Sequence, residues 1–316
     1  MTLTFTRPLA AAVALCLAQA PAMAQVAATD DNPIRGAIDF HIHTAPDVSA
    51  RNLTDIELAE IAARHDMGGL VLKNHVTMTA DRAALVNAQV PEIEVFGGVV
   101  LNHAVGGINA EAVRTMAKMS GGRGKVVWFP TFDAAFHRES KGGQPGGIRV
   151  LVDGALTPET EEVLDAVLEH DLILETGHLY PEEVLALVRR ATEKGIGKIV
   201  VTHAMAENPG LNIEQMQEAA SMGAYLELIY LDHLGTPTAH LPWLRTRKPN
   251  SIADMSAAVK QIGAAHFILA SDLGQTGNPL HPDGMIELIN GLLAEGVSQA
   301  DIDTMVRDNP GMLLGL

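Results

Sequence analysis

Asp39-Phe40-His41-Ile42-His43 decides how the rest of this chain is read. A strand sends alternate side chains to one face, so His41 and His43 point the same way from a short apolar run. Two imidazoles on one face of a strand end suggest a metal site. Later apolar runs close in the same manner: Ile173 to His178, Ile199 to His203 and Phe267 to Asp272 each end in a residue able to hold a metal. That recurrence predicts ligands gathered at one mouth of a barrel.

Working outward, β-like runs lie near Ala37 to His43, Gly69 to His75, Glu94 to Leu101, Lys125 to Thr131, Leu172 to Thr176, Lys198 to His203, Tyr225 to Tyr230 and His266 to Ser271. Amphipathic segments with apolar residues at helical spacing separate them, among them Leu53 to His65, Glu111 to Met119, Pro158 to His170, Pro181 to Lys194, Ile213 to Met222 and Ile252 to Ile262. Thr157-Pro158-Glu159 reads as a helix start, and Gly195 and Gly223 as helix ends. Strand and helix in alternation imply a parallel sheet. Eight similar units favour closure into a (β/α)8 TIM-type barrel, a single domain over residues 25–316, against the alternative of a doubly wound open sheet.

Two connections are longer than the rest. Phe132 to Leu156 contains Gly142-Gly143-Gln144-Pro145-Gly146-Gly147 and suits a mobile lid or a small hairpin. Leu231 to Asn250 carries Pro237, Pro242 and Pro249 around Trp243. Both follow strands, so both should overhang the C-terminal face where barrels build their sites.

Residues 1–24 read separately. Arg7 precedes the apolar stretch Leu9 to Ala18, and Ala22-Met23-Ala24 has the small-x-small form of a cleavage site. The apolar stretch is short for a membrane span, which needs about 20 residues. A cleaved signal peptide is the expectation, with Gln25 as the new N-terminus and a periplasmic or secreted location. Cys16, the only cysteine, would leave with it, and Leu15 before it argues against a lipoprotein. The remainder has 21 basic residues against 38 acidic ones. So acidic a chain repels phosphate backbones and anionic lipids, which excludes nucleic acid and membrane as expected partners. A small-molecule substrate fits, and outward helix faces leave a homo-oligomer open.

His-x-His on the first strand, histidines after the fifth and sixth and an aspartate after the eighth resemble the amidohydrolase superfamily of metal-dependent barrel hydrolases. Phe40-His41-Ile42-His43-Thr44, Thr176-Gly177-His178, Val201-Thr202-His203 and Ala270-Ser271-Asp272 carry the resemblance, and Asn309-Pro310-Gly311-Met312-Leu313-Leu314-Gly315-Leu316 looks like the closing segment of many members. By that resemblance His41, His43, His178, His203 and Asp272 are the metal ligands, the ion is a divalent metal such as zinc, and Asp272 and His203 are the catalytic acid–base groups. Two-metal members place a carboxylated lysine or glutamate on the fourth strand. Here that strand reads Lys125-Val126-Val127-Trp128-Phe129-Pro130-Thr131, with Asp133 two residues beyond, so one ion is favoured over two.

Lys73 and His75 share a face at the end of strand two, and Leu72-Lys73-Asn74-His75 also resembles the second-strand histidine of polymerase-and-histidinol-phosphatase-type barrels. Lys73, His75, Arg51 and Asn102 are the expected substrate contacts, Lys73 ranking first for substrate and second for carboxylation. The implied reaction is hydrolysis of an amide, ester or lactone by a metal-activated water. A single-metal decarboxylase of the same fold and a nonenzymatic metal or solute binder stand as alternatives.

Overall fold

The computed structural model describes residues 32–140 and 146–316; the expected signal peptide and Lys141 to Pro145 lie outside the described residues. His41 sits on β1 (Ile38–Ile42), the first of eight parallel strands that continue as β2 (Gly69–Leu72), β3 (Glu94–Val100), β4 (Gly124–Trp128), β7 (Ile173–Glu175), β8 (Ile199–Val201), β9 (Tyr225–Ile229) and β10 (Phe267–Ala270). Neighbours in space are neighbours in sequence throughout, as right-handed strand–helix–strand units require. The first and last strands meet at their C-terminal ends, where the N–H of Asp272 donates to the carbonyl of His41 and that of His43 to Leu273, each at 2.9 Å. Below these bonds the Asp39 carboxylate fills the seam by accepting the N–H of Ser271 at 2.8 Å. The TIM-type barrel expected from the sequence is the observed fold.

Helices α1 (Asp55–Arg64), α2 (Ala80–Gln89), α3 (Ala110–Ala117), α5 (Pro158–Glu169), α6 (Pro181–Lys194), α7 (Ile213–Ser221), α8 (Ile252–Ile262) and α9 (His281–Ala294) occupy the connections. Their starts are capped as the sequence indicates: Thr157 accepts from Thr160 ahead of Pro158, and Thr54, Asn212 and Ser251 each form reciprocal capping pairs three residues on. Gly195 closes α6 in the left-handed conformation. Residues of β1 that alternate with the histidines, Phe40 and Ile42, are fully buried in the apolar layer between strands and helices. Such burial stabilises by about 1.5–3 kcal/mol per side chain and fixes the register. A one-residue slip would exchange Phe40 for His41.

The connection after β4 holds α4 (Ala135–Ser140) and a two-residue hairpin, β5 (Leu151–Val152) with β6 (Ala155–Leu156). The connection after β9 runs as short 3-10 turns at Tyr230–Leu234 and Leu244–Thr246. C-terminal segments α10 (Gln299–Asp303) and α11 (Asn309–Leu314) finish the chain, and the Asn309 amide ties them back to the carbonyl of Phe267 at 2.7 Å. Among the described residues no helix is long and apolar enough to cross a membrane.

Candidate metal centre

Three groups converge at the seam. The Nε2 atoms of His41 and His43 face the same oxygen, Oδ1 of Asp272, at 3.3 and 3.0 Å. All three side chains are buried, and one donor atom from each lies within 4.8 Å of the others. Asp272 reaches this position with a left-handed backbone, φ 52°, a conformation that costs a non-glycine residue about 1–3 kcal/mol and concentrates at functional sites. Gly274 lets the chain leave again: at φ 125° a Cβ there would stand 1.8 Å from the carbonyl oxygen of His43.

The outer nitrogens settle which atoms are acceptors. His41 Nδ1 lies 3.1 and 3.2 Å from the two oxygens of Glu227, and His43 Nδ1 lies 3.1 Å from the carbonyl of Lys73. Carboxylate and carbonyl oxygens only accept, so each Nδ1 carries the hydrogen and, in the neutral ring, each Nε2 presents a lone pair. Burial pushes His43 down to about 3, which keeps that ring neutral. Burial by itself would raise Asp272, but the neighbouring imidazoles outweigh it and hold the carboxyl well below its ordinary range. With Nε2 of each ring deprotonated the group would offer two imidazole lone pairs and a carboxylate oxygen, and positive charge, from a proton or a metal ion, is what lets the three meet; Nε2 of His41 has no hydrogen-bond partner among the described residues. Such a group could hold a metal ion. Ligands bound tetrahedrally at about 2.0–2.1 Å stand about 3.3 Å apart, near the 3.0 and 3.3 Å by which the two imidazoles stand off Asp272.

His178 and His203, also ligands by the family resemblance, form a second pair beside this group, their Nε2 atoms 3.1 Å apart. His178 passes on through Nδ1 to Nδ1 of His137 at 2.8 Å, making a chain of three imidazoles. Burial holds both His178 and His203 well below the ordinary histidine value. His203 is left-handed as well, φ 29°, and donates its backbone N–H to Glu227 at 2.8 Å. Glu227 thus orients two of the five expected ligands from below.

A cavity of about 670 Å³ opens over these side chains, within the size range of small-molecule sites. Arg51, Lys73 and His75 line it, as do His41, His178, His203 and Asp272. Asn102 is not among the lining residues: its amide brackets the loops by donating to Thr131 Oγ1 and the His75 carbonyl and by accepting from the N–H of Thr131. Asp133 likewise caps a loop, accepting the His103 N–H at 2.8 Å. His281 is buried, with Nε2 3.1 Å from the carbonyl oxygen of His43.

The floor beneath holds two acids that the sequence reading missed, Glu175 and Glu227, beside Lys73. Lys73 Nζ is buried with no hydrogen-bond partner among the described residues and lies 5.5 Å over the Trp128 ring. Burial lowers its pKa, while burial and the nearby Glu227 push Glu175 well above the carboxylate range. The signal was present: Glu175 and Glu227 interrupt otherwise apolar strands, and a charge inside a barrel must be paired or serve a site.

Solved structures share this fold at low identity. An amidohydrolase from Pseudomonas aeruginosa aligns over 90% of this chain and 96% of its own with TM-score 0.60 and 12% identity. An organophosphorus hydrolase from Deinococcus radiodurans aligns over 90% and 94% with TM-score 0.59 and 13% identity. A barrel whose organophosphate hydrolysis was engineered from a weak promiscuous lactonase template covers 90% and 97% at TM-score 0.57 and 13% identity. No curated protein matches the sequence. A family profile matches residues 36–227, a span that includes every strand from β1 to β8 and four of the five expected ligands; the chain belongs to DUF6282, a family of unknown function.

Proposed function

We propose that this protein is a metal-dependent hydrolase of an amide, ester or lactone bond in a small molecule, exported to the periplasm or beyond. The observation that carries the reading is the meeting of three acceptors, His41 Nε2, His43 Nε2 and Asp272 Oδ1, in a buried position at the foot of a cavity. A divalent ion such as zinc, held by His41, His43 and Asp272 with His178 and His203 beside it, would supply Lewis acidity and a water acidic enough to attack near neutral pH.

The chain's own groups supply the rest. Asp272 stays ionised and faces the cavity, so its carboxylate can take a proton from the attacking water and return it to the leaving group. His203 lines the cavity beside Asp272, and as the second acid–base group it would relay a proton through Nε2, which lies 3.1 Å from Nε2 of His178. Lys73, His75 and Arg51 line the same space, and His75 and Arg51 are positioned to hold substrate. Export rests on the sequence of residues 1–24, and N-terminal sequencing of protein from the cell envelope should begin at Gln25.

A decarboxylase is the second reading, favoured by one feature: β4 ends in buried Trp128 and Phe129, with no carboxylate or lysine to bridge two ions. Zinc-loaded protein incubated with panels of amides, esters and lactones separates the cases. Acid plus amine or alcohol is expected. Carbon dioxide from carboxylic acid substrates would replace hydrolysis by lyase chemistry, and tight zinc binding with no turnover of either kind would leave a binder.

A further inference from the structure

The cavity has a charge of its own. Although acids outnumber bases 38 to 22 in the chain, three cations line this wall, Arg51, Lys73 and Arg247, against two acids, Glu207 and Asp272. Neither arginine is on the open surface: Arg51 is held by Asp47 at 2.7 Å and Arg247 by Asp232, and all four side chains are largely buried. A guanidinium has five N–H donors in a fixed fork, so one carboxylate partner leaves others to offer. Both arginines line the wall, and the acids that hold them, Asp47 and Asp232, do not. Lys73 borders the same space, but its amine is buried over the Trp128 ring and near Asp272, Glu175 and Glu227, so it serves the barrel floor and the two arginines are left to meet a ligand.

The opposite character comes from the loops. Phe132, 47% exposed, and Trp243, 43% exposed, belong to the two long connections yet both line the cavity, together with Leu231 and Leu241. Phe132 is stacked on His75 with ring centroids 3.8 Å apart, and both residues line the cavity. Aromatic walls rising above cationic groups suit a ligand with an apolar, flat or acyl body and an acidic group.

We propose that the substrate is an amphiphilic organic anion, its acid group taken by Arg51 and Arg247 and its aryl or acyl part lying against Phe132 and Trp243. This deepens the hydrolase reading and rests on it: the scissile amide, ester or lactone then belongs to a molecule that also carries a carboxylate, as an N-acyl amino acid or an aryl lactone acid does.

Phenylacetate, phenylacetamide and acetate are suitable probes, titrated calorimetrically into zinc-loaded and chelated protein. Phenylacetate should bind about ten- to a hundredfold more tightly than its neutral amide, the range expected for a charge-assisted contact, and more tightly than acetate. The preference should survive chelation, fall by a similar factor in Arg247→Met and in the charge-balanced Arg247→Met, Asp232→Asn double variant, and persist in Arg189→Gln, whose arginine pairs with Glu218 on the outer helices. Phe132→Ala, a half-exposed position that should not disturb folding, should weaken phenylacetate and leave acetate unchanged. Equal binding of acid and amide would overturn the proposal, as would a preference present only with zinc, because the carboxylate would then be reading the metal. The two readings fail separately: zinc uptake without discrimination removes the anion subsite alone, and discrimination without zinc uptake removes the hydrolase alone.

Discussion

The backbone N–H of Asp272 donates to the carbonyl of His41 at 2.9 Å, so the bond that closes the barrel also fixes the distance between two side chains of the candidate metal centre. Seam and site are one construction. His43 N–H to Leu273 repeats the arrangement one step higher, and Asp39 secures it one step lower. A metal held by His41, His43 and Asp272 would cross-link the first and last strands, and its binding energy would become folding energy. Saturating zinc should therefore raise the melting temperature of the chelated protein. Asp272→Ala, should it fold, should show no such rise in a thermal melt.

Glu227 is the residue whose loss should separate orientation from ligation. It accepts from the His41 ring and from the His203 backbone without lying among the groups that meet at the centre. Glu227→Gln should keep the fold and lower zinc affinity about ten- to a hundredfold, the usual effect of removing a carboxylate behind a ligating histidine. Competition with a chromogenic chelator reads this directly; unchanged affinity would mean that Glu227 serves packing alone.

Stability of the chelated protein should depend on pH with a sign set by buried groups. His43 and His281 are pushed by burial to about 3 and about 4, well under the unfolded value near 6.5, so unfolding takes up protons on each between about pH 4 and 6.5. Their contribution is full above that window and falls by about 1.4 kcal/mol per pH unit each as pH drops through it. Asp39 opposes them: burial, against the Ser271 bonds, raises it to about 7, so its contribution is full below about pH 4 and is lost as pH rises to 7. His75, His178 and His203, also held low by burial, act with the two histidines, and Glu175 and Asp232, held high by burial, act with Asp39, so five groups gaining protons on unfolding against three releasing them predict net loss of stability on acidification from 6.5 to 4. Asp39→Asn should steepen that loss, measurable by urea unfolding across the window.

Gly274 offers a steric test. Alanine there would need both a left-handed backbone and a Cβ 1.8 Å from the His43 carbonyl, whereas nothing lies within 4 Å of a Cβ at Gly197. Gly274→Ala should destabilise by at least about 1–3 kcal/mol and weaken zinc binding by moving His43. Gly197→Ala should be neutral in both assays.

The loop that carries the site leans on one buried ion pair. Arg82 of α2 donates to both oxygens of Asp55 at 2.7 and 2.8 Å, and Thr44 Oγ1 donates to the same carboxylate. Asp55→Ala leaves Arg82 without that partner and should cost about 3–5 kcal/mol in chemical denaturation.

All eight barrel strands were legible because each is an apolar run of strand length ending in polar residues, and α6 and α8 were readable to the residue because Pro181, Gly195 and Ser251 mark their limits. His41, His43 and Asp272 were legible for a different reason: they fall at strand ends, and a closed barrel brings strand ends together. Glu227 was not, since its partner His41 lies 186 residues away and an acid in mid-strand gives no local sign of what it meets. Arg247 hid in a proline-rich loop whose path no periodicity dictates. Asn102 fell at a strand end by the same rule that found the histidines, yet its amide was needed to satisfy backbone groups between loops. Position at the mouth is thus necessary for a site residue and does not suffice.

Metal content tests the central claim most directly. Protein purified gently from metal-replete cells, refolded variants His41→Ala and Asp272→Ala beside it, would be measured by elemental analysis with circular dichroism as the fold check. The account predicts about one divalent ion per wild-type chain and near none in the folded variants. A wild-type chain that stays metal-free after replete growth and zinc titration, or variants that hold as much as wild type, would contradict it.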